Sequence, residues 1–175
     1  MDIGIRIEHL AEHIAVIPTL ASWVQKEWGH LLPEATFETL VSEFEERTTR
    51  HKIPETFVAV KDDHPLGMAS IIEHDLTTRK ELSPWLAAVY VAPESRNRGI
   101  GSRLIRTVMR EAETLGLERL YLITPNKMRF YSRLGWKVLE HTKYRGENVV
   151  IMLYEAGTHT SQPTNQPATG QGAVK

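Results

Sequence analysis

The 175-residue sequence contains no cysteine. Disulfide bridges, thiolate zinc sites and a cysteine nucleophile are therefore absent, which excludes an acyl-cysteine enzyme intermediate. No apolar run approaches the ~20 residues of a membrane-spanning helix, and the first residues do not have the build of a signal peptide. A net charge of -1 lacks the positive excess typical of nucleic-acid-binding proteins. These absences predict a cytoplasmic protein that binds neither membranes nor nucleic acid.

The length and the distribution of apolar residues predict one domain followed by a tail. Residues 1–155 are long enough to bury a core, whereas residues 156–175 contain no Leu, Ile, Phe, Trp or Tyr. A segment of this composition buries too little apolar surface to offset its ordering entropy. We therefore expect a single domain over residues 1–155 and a disordered polar tail over residues 156–175.

Hydrophobic periodicity predicts an alternation of strands and helices. Alternating residues indicate strands, spacings of three and four indicate helices, and proline at position 33 suits the first turn of a second helix. The resulting order is a strand at 3–7, helices near 14–28 and 33–46, strands at 56–61, 66–73 and 85–92, a helix at 99–116, a strand at 120–124, a helix at 127–134, and strands at 136–141 and 149–154.

The most informative segment follows the strand at 85–92, where two close glycines precede a strongly periodic helix. Free N–H groups and the dipole of a helix N-terminus favour a phosphate, and glycine lets the backbone approach it. A P-loop would need Lys and Ser/Thr directly after its second glycine, but Ser102 and Arg103 follow Gly101 here. A dinucleotide-binding turn would need a third small residue where Leu104 stands.

The same segment resembles the GNAT superfamily of N-acetyltransferases, because Arg96, Gly99 and Gly101 fit its (Gln/Arg)-x-x-Gly-x-(Gly/Ala) signature. A second block at 130–136 (FYSRLGW) is similar to the family's (Phe/Leu)-Tyr-x-x-Leu-Gly-Phe segment, and residues 82–91 resemble a bacterial subgroup. The resemblance implies a mixed α/β (α+β) fold, with a mostly antiparallel sheet of six or seven strands and about four helices. It also implies that strands 85–92 and 119–124 separate to admit acetyl-CoA.

The resemblance assigns the cofactor site. Backbone N–H groups of the glycine turn would hold the pyrophosphate, and the adjoining strand would pair with the pantetheine arm; these residues are Val89, Tyr90, Val91, Arg96, Asn97, Arg98, Gly99, Ile100, Gly101 and Ser102. Two points stay open from the residues themselves. The arginines either pair with phosphates or are merely exposed, and Asn126 either contacts the cofactor or caps the following helix.

Amine attack on a thioester needs a neutral acceptor, donors for the oxyanion and a proton for the thiolate. By resemblance Tyr131 is the general acid, since a phenol stays protonated at neutral pH. The family's usual glutamate is missing from residues 119–124, so Glu73 and Asp75 are the candidate bases, acting through water. They share one face if their strand persists. No histidine spacing indicates a metal; His9 and His13 lack ligand-pattern neighbours and are expected at the surface.

These features predict direct acetyl transfer from acetyl-CoA to a primary amine in a ternary complex, without a metal. The alternative is a CoA-binding GNAT module that has lost catalysis. A small-molecule or a peptide amine fits equally well, and a homodimer stays open. The glutamates of helix 33–46 either attract a cationic acceptor or are simply solvated. Trp23, Trp28 and Trp85 either shape the acceptor pocket or belong to the core.

Overall fold

The computed structural model describes residues 4–157. Its elements, in chain order, are β1 (Arg6–His9), α1 (Ile17–Trp28), α2 (Phe37–Glu46), β2 (Glu55–Lys61), β3 (His64–Ile72), β4 (Trp85–Val91), α3 (Ile100–Thr114), β5 (Arg119–Thr124), α4 (Met128–Arg133), β6 (Lys137–Tyr144) and β7 (Glu147–Glu155). This is the mixed α/β architecture that the resemblance implies. Of the segment expected to be a tail, residues 158–175 lie outside the described range, while the N–H of Ala156 donates to the carbonyl of Glu118 at 2.9 Å.

The seven strands form one open sheet in the order β1-β2-β3-β4-β5-β7-β6. All neighbouring strands are antiparallel except β4 and β5, which are connected through α3 and run parallel. The two halves of the sheet, β1–β4 and β5–β7–β6, therefore meet only along this parallel pair.

Each half of the sheet is covered by helices or by a loop. On one face, α3 and α4 pack against the main apolar core, which includes Leu104, Val108 and Tyr131. On the other face, α1 and α2 cover β1–β4 through residues such as Leu20 and Phe44. Beside them, the loop 73–84 covers β4, β5 and β7 on this second face, where its Leu76 and Leu82 meet Trp85, Tyr121 and Ile151. We call these the α3 face and the α1–α2 face.

Several predicted boundaries differ from the structure, and three of them bear on the site or have a clear local cause. β1 starts at Arg6 because Gly4, with a φ of 95°, has a turn conformation that a regular strand does not include. α2 starts at Phe37 and not at Pro33, because the side chain of Thr36 accepts the N–H of Thr39 at 3.1 Å and forms a capping box. β3 ends at Ile72, before Glu73, so the alternation assumed for Glu73 and Asp75 does not apply.

A glycine follows each of α3 and α4. Gly116 and Gly135 follow α3 and α4 with φ values of 69° and 96°. After α3, the N–H of Leu117 reaches back to the carbonyl of Ala112 at 2.9 Å, which is the six-to-one bond of a Schellman end. Within residues 4–157, no helix has the length and apolar character that crossing a bilayer requires.

Candidate cofactor and active site

β4 and β5 separate soon after they meet. Trp85 and Tyr121 are their one registered pair within residues 4–157, and the N–H of Tyr121 donates to the carbonyl of Pro84 at 3.0 Å. The first residues of β4, 85–87, are buried, whereas residues 88–91 are half-buried. The gap implied by the resemblance is therefore present, and it opens toward the carboxyl end of β4.

A β-bulge lies where this gap begins. Between the pairs Met68–Tyr90 and Ser70–Ala87, one residue of β3 opposes two residues of β4, and Ala88 takes a φ of 51°. A bulge bends its strand and re-aims the groups that follow it. A positive φ is unusual for alanine, so this conformation of Ala88 distinguishes β4 from a regular strand.

The main chain of β4 presents its free edge to the gap. The N–H of Ala92 donates to the carbonyl of Leu66 on β3 at 2.9 Å. Since alternate residues of a strand direct their backbone groups to opposite sides, the N–H of Val91 points away from β3, whereas Val89 lies within the bulge, where this alternation is interrupted. Both side chains pack partly buried against the α3-face core. The strand thus offers backbone donors to the gap and keeps its valine side chains for packing.

The glycine turn joins the end of β4 to α3. Asn97 and Gly99 both have left-handed φ values, of 60° and 74°. The first backbone bond of α3 runs from the N–H of Arg103 to the carbonyl of Gly99 at 3.1 Å. The N–H groups of residues 100–102 therefore have no acceptor four residues back, as at any helix N-terminus, and they can bind an anion.

Arg96 is engaged at the mouth of the gap. Its Nε donates to the carbonyl of Val91 at 2.9 Å, and its guanidinium lies 5.6 Å from the centre of the Tyr90 ring. The sequence left open whether Arg96 pairs with phosphate or is merely exposed. In the structure its side chain also links the turn to the end of β4, so Arg96 is more than a solvent-exposed cation. Arg96 precedes the start of α3 by four residues, so a role toward phosphate stays a prediction.

Gly101 brings the turn against both walls of the gap. A methyl group placed on Gly101 would lie 3.7 Å from Val91 Cγ2 on β4 and 3.7 Å from Phe130 Cζ on α4. The predicted pyrophosphate turn, the predicted pantetheine strand and the Phe130–Tyr131 block therefore converge at one place. Sequence reasoning had placed them together only by resemblance.

Tyr131 is buried on α4, with 8% of its surface exposed. Its ring contacts the rings of Phe130 and Trp136 at centroid distances of 5.2 and 6.2 Å. Burial raises the pKa of Tyr131 to about 12, above the ~8.5 of a thiol. The phenol is therefore a proton-bearing hydrogen-bond donor at neutral pH, and it stabilises a thiolate more readily by donating a hydrogen bond than by giving up its proton.

Asn126 does not cap α4. The N-cap residue is Lys127, whose N–H donates to the Oγ1 of Thr124 at 3.0 Å, and no side-chain cap bond is made there. The capping interpretation of Asn126 is wrong because Thr124, three residues before Lys127, takes that role. Asn126 is exposed at the carboxyl end of β5, so cofactor contact stays a prediction.

Asp75 lies in the loop between β3 and β4, near the closed end of the gap. Its surface is exposed, yet desolvation by the surrounding protein raises its pKa to about 6, with the positive charge of Arg47 acting in the opposite direction. The next residue, Leu76, is buried against Trp85 and Tyr121. Glu73 is exposed and has no ion pair or hydrogen bond within the described part of the chain.

The tryptophans and the glutamate whose roles the sequence left open have different surroundings in the structure. Trp85 is fully buried, and its indole N–H donates to the carbonyl of Leu82 at 2.7 Å, so it belongs to the core. Trp23 and Trp28 are half-buried against Tyr90 on the α1–α2 face. Glu34, predicted to lie in the second helix, precedes α2 in the structure and is bound by Arg145, a contact that no local sequence signal indicates.

The histidines depart from the expectation. His9 is not a surface group: it lies beside the fully buried Glu55, with 3.4 Å between Nδ1 and Oε2. His13 lies with Glu8 and Glu12, and these are the one group of three potential metal ligands within residues 4–157. Both carboxylates already have partners, since Glu8 pairs with Arg6 and His13, and Glu12 with Arg50. Glu8 and Glu12, which stand next to the two histidines in the sequence, were the local signal for this group.

Comparison with known proteins agrees with this geometry. The family described as "Acetyltransferase (GNAT) family" matches residues 17–136. That range contains the whole gap, the glycine turn and α4. No curated protein matches the chain in sequence.

Solved structures share the fold at low sequence identity. An aminoglycoside 6'-N-acetyltransferase complexed with coenzyme A is 16% identical with a TM-score of 0.69, covering 89% of this chain and 99% of the other. A spermidine N-acetyltransferase from Vibrio cholerae, in complex with CoA and spermine, is 18% identical with a TM-score of 0.63 over 87% and 96%. A GNAT-family acetyltransferase from Streptococcus pneumoniae is 15% identical with a TM-score of 0.64 over 87% and 99%.

Proposed function

The chain belongs to the GNAT family of acetyltransferases, and from this premise we propose that it transfers the acetyl group of acetyl-CoA to a primary amine by direct attack in a ternary complex. The observation that carries the proposal is the gap beyond Trp85 and Tyr121, which leaves the main chain of β4 unpaired next to a helix N-terminus. Residues 1–155 act as one catalytic domain in this proposal, and no metal takes part.

Acetyl-CoA enters the gap from the α3 face. The N–H groups of residues 99–102 bind its pyrophosphate, and the charges of Arg96 and Arg98 add to the field of the helix. The amides of the pantetheine arm pair with the free edge of β4 as an added strand would. Filling this edge also gives partners to backbone groups that the separation of β4 and β5 leaves facing a cleft.

The bulge at Ala88 positions a backbone donor for the thioester carbonyl and the oxyanion that forms from it. Positive φ at Ala88 re-aims the N–H of Val89 into the gap, where it donates to the thioester carbonyl and then to the tetrahedral oxyanion. A donor that is fixed by the sheet needs no reorganisation as charge develops. Val89 therefore acts through its backbone, and its side chain has only a packing role.

Proton transfer is divided between the two faces of the gap. Asp75, on the α1–α2 side, removes a proton from the incoming ammonium through water, since a carboxylate with a pKa of about 6 is ionised at neutral pH and still basic enough to act. Tyr131, on the α3 side, donates a hydrogen bond to the departing thiolate of CoA. Asp75 is favoured over Glu73 because its neighbour Leu76 packs against Trp85 and Tyr121 at the closed end of the gap.

Thermal stability and thiol release test this proposal together. We expect acetyl-CoA and CoA to raise the melting temperature, since a ligand that binds only the folded state stabilises it. We expect free thiol to appear when a panel of spermidine, kanamycin, glutamate and a dipeptide is added with acetyl-CoA. Stabilisation without thiol release for any amine would favour an inactive CoA-binding module, and no stabilisation by either nucleotide would overturn cofactor binding.

A further inference from the structure

Two segments that are distant in sequence meet across the open end of the sheet. The turn between β6 and β7 lies beyond the carboxyl end of β5, because Thr124 pairs with Val150 and β7 begins three residues earlier, at Glu147. The carboxyl end of α1 lies at the same end of the sheet, where the Trp28 ring is 6.2 Å from the Tyr90 ring of β4. The turn belongs to one half of the sheet and α1 to the other.

Arg145, in that turn, binds the segment between α1 and α2 by three hydrogen bonds. Its Nη1 donates to the carbonyl of Leu31 at 2.6 Å and to Glu34 Oε2 at 3.1 Å, and its Nη2 donates to Glu34 Oε1 at 2.6 Å. A second ion pair runs beside it, from His30 Nε2 to Glu147 Oε1 at 3.7 Å. A two-pronged guanidinium–carboxylate contact fixes both position and orientation.

Arg145 is also held from its own side. Its Nε donates to the hydroxyl of Tyr144 at 3.2 Å, and its guanidinium lies 5.5 Å from the centre of that ring. The Glu34 side chain is 61% exposed and the Arg145 side chain 28%. The arginine is therefore the anchored half of the contact, and the glutamate is the half that water reaches.

We propose that Arg145, Glu34 and Leu31 form a clasp that spans the cleft on the α1–α2 face and limits the size of the acceptor reaching the gap. The inference rests on the proposed function, in which acetyl-CoA occupies the gap from the α3 face and the amine arrives from the opposite face. A slender aliphatic amine passes beneath the closed clasp. A bulky acceptor enters only while the contact between Arg145 and Glu34 is broken.

Because the chain contains no cysteine, one introduced thiol can report how easily reagents of different size pass the clasp. Ile123 lies on the α1–α2 face of β5, half-buried, one residue before the end of the strand. In an Ile123→Cys chain we would measure the rate of thiol modification by N-methylmaleimide and by a poly(ethylene glycol) maleimide, which share one chemistry and differ in size. The labelling uses neither acetyl-CoA nor amine, so its result is independent of whether the chain is an active enzyme.

The clasp predicts a size-dependent response. Adding Arg145→Ala or Glu34→Gln should raise the rate with the poly(ethylene glycol) reagent about fivefold, the scale expected for loss of an exposed ion pair, and the rate with N-methylmaleimide less than twofold. Lys143→Ala, an exposed cation two residues away, should change neither rate. A reference thiol at His64→Cys, at the start of β3, should not respond. Unchanged rates with the large reagent, or an equal rise for both reagents, would overturn the clasp.

Discussion

Trp85 on β4 and Tyr121 on β5 lie opposite each other, with their ring centres 5.7 Å apart, and close one end of the gap between the two parallel strands. Both rings pack with Leu76 and Ile151, so this end is fixed by a small apolar core. Beyond it the edge of β4 is open. An unpaired strand edge within a sheet is a liability unless something pairs with it, and we propose acetyl-CoA as the partner of this edge.

The first prediction concerns the base. Asp75→Asn should lower kcat/KM by about 100-fold above pH 6, the scale of general base catalysis. In the unmodified chain kcat/KM should rise as the pH passes through about 6, because Asp75 loses its proton there. The variant should lose this rise and keep only the rise that comes from deprotonation of the amine at higher pH.

Glu73→Gln is the matched control, since it removes a carboxylate two residues away from the same loop. It should keep the rise near pH 6 and lose no more than about twofold in rate. If both variants behave alike, or if the rise survives in Asp75→Asn, the assignment of the base is wrong.

The second prediction concerns the acid. Tyr131→Phe should lower kcat by about 10- to 100-fold, the lower range for loss of one proton donor, and leave the Kd of acetyl-CoA within about twofold. The ring stays packed against Phe130 and Trp136, so folding should be preserved. Since the pKa of Tyr131 is about 12, no alkaline loss of activity should appear below pH 10. Turnover equal to that of the unmodified chain would remove Tyr131 from the mechanism.

The third prediction separates the two glycines of the turn. Gly101→Ala should keep the melting temperature, because its methyl group meets its neighbours at ordinary contact distances of 3.7 Å, but it should weaken acetyl-CoA binding by about tenfold through crowding of the phosphate. Gly99→Ala should destabilise folding by about 1 kcal/mol, because residue 99 has a φ of 74°. Calorimetric titration and thermal unfolding of both variants check the contrast. Equal acetyl-CoA affinity in Gly101→Ala would contradict the placement of the pyrophosphate.

The fourth prediction concerns pH and stability. Glu55 is fully buried at the start of β2, and desolvation, aided by the negative charge of Glu111, raises its pKa to about 7. The folded chain then holds a proton that the unfolded chain releases near pH 4.5. The free energy of unfolding should therefore fall by about 3 kcal/mol between pH 4.5 and 7 and level off above that range.

Glu55→Gln should remove this dependence, since an amide of the same shape carries no proton to lose. Denaturant unfolding of both chains at several pH values gives the difference directly, and contributions from other groups cancel in it. A difference that stays constant with pH would show that Glu55 is ionised in the folded state throughout.

Local signals in the sequence predicted the frame of the site. The predicted helix ends at 116 and 134 agree with Gly116 and Gly135, which take left-handed conformations after α3 and α4, and the parallel pair of strands follows from the crossover through α3. Pro33 misled because a proline suits a first helical turn but does not require one, whereas Thr36 and Thr39 form an actual cap.

Contacts between distant segments were not predictable from one sequence. Nothing near Glu34 indicates that residue 145 will bind it, and nothing near Glu55 indicates that it will be buried beside His9 and Glu111. The positive charge that acts on Asp75 likewise comes from Arg47, which lies beyond the end of α2. Each of these depends on how separate layers dock, and periodicity within one element carries no information about that.

The central claim is that acetyl-CoA lies in the gap along β4, and amide NMR spectra recorded with and without acetyl-CoA test it most directly. We expect the N–H signals of Val89, Val91 and residues 99–102 to shift strongly and to gain protection from hydrogen exchange. The amides that join β1 to β2, from the pair Arg6–Val60 to the pair His9–Phe57, should stay unchanged. Unaltered signals at Val89 and Val91 in the presence of saturating acetyl-CoA would contradict the account.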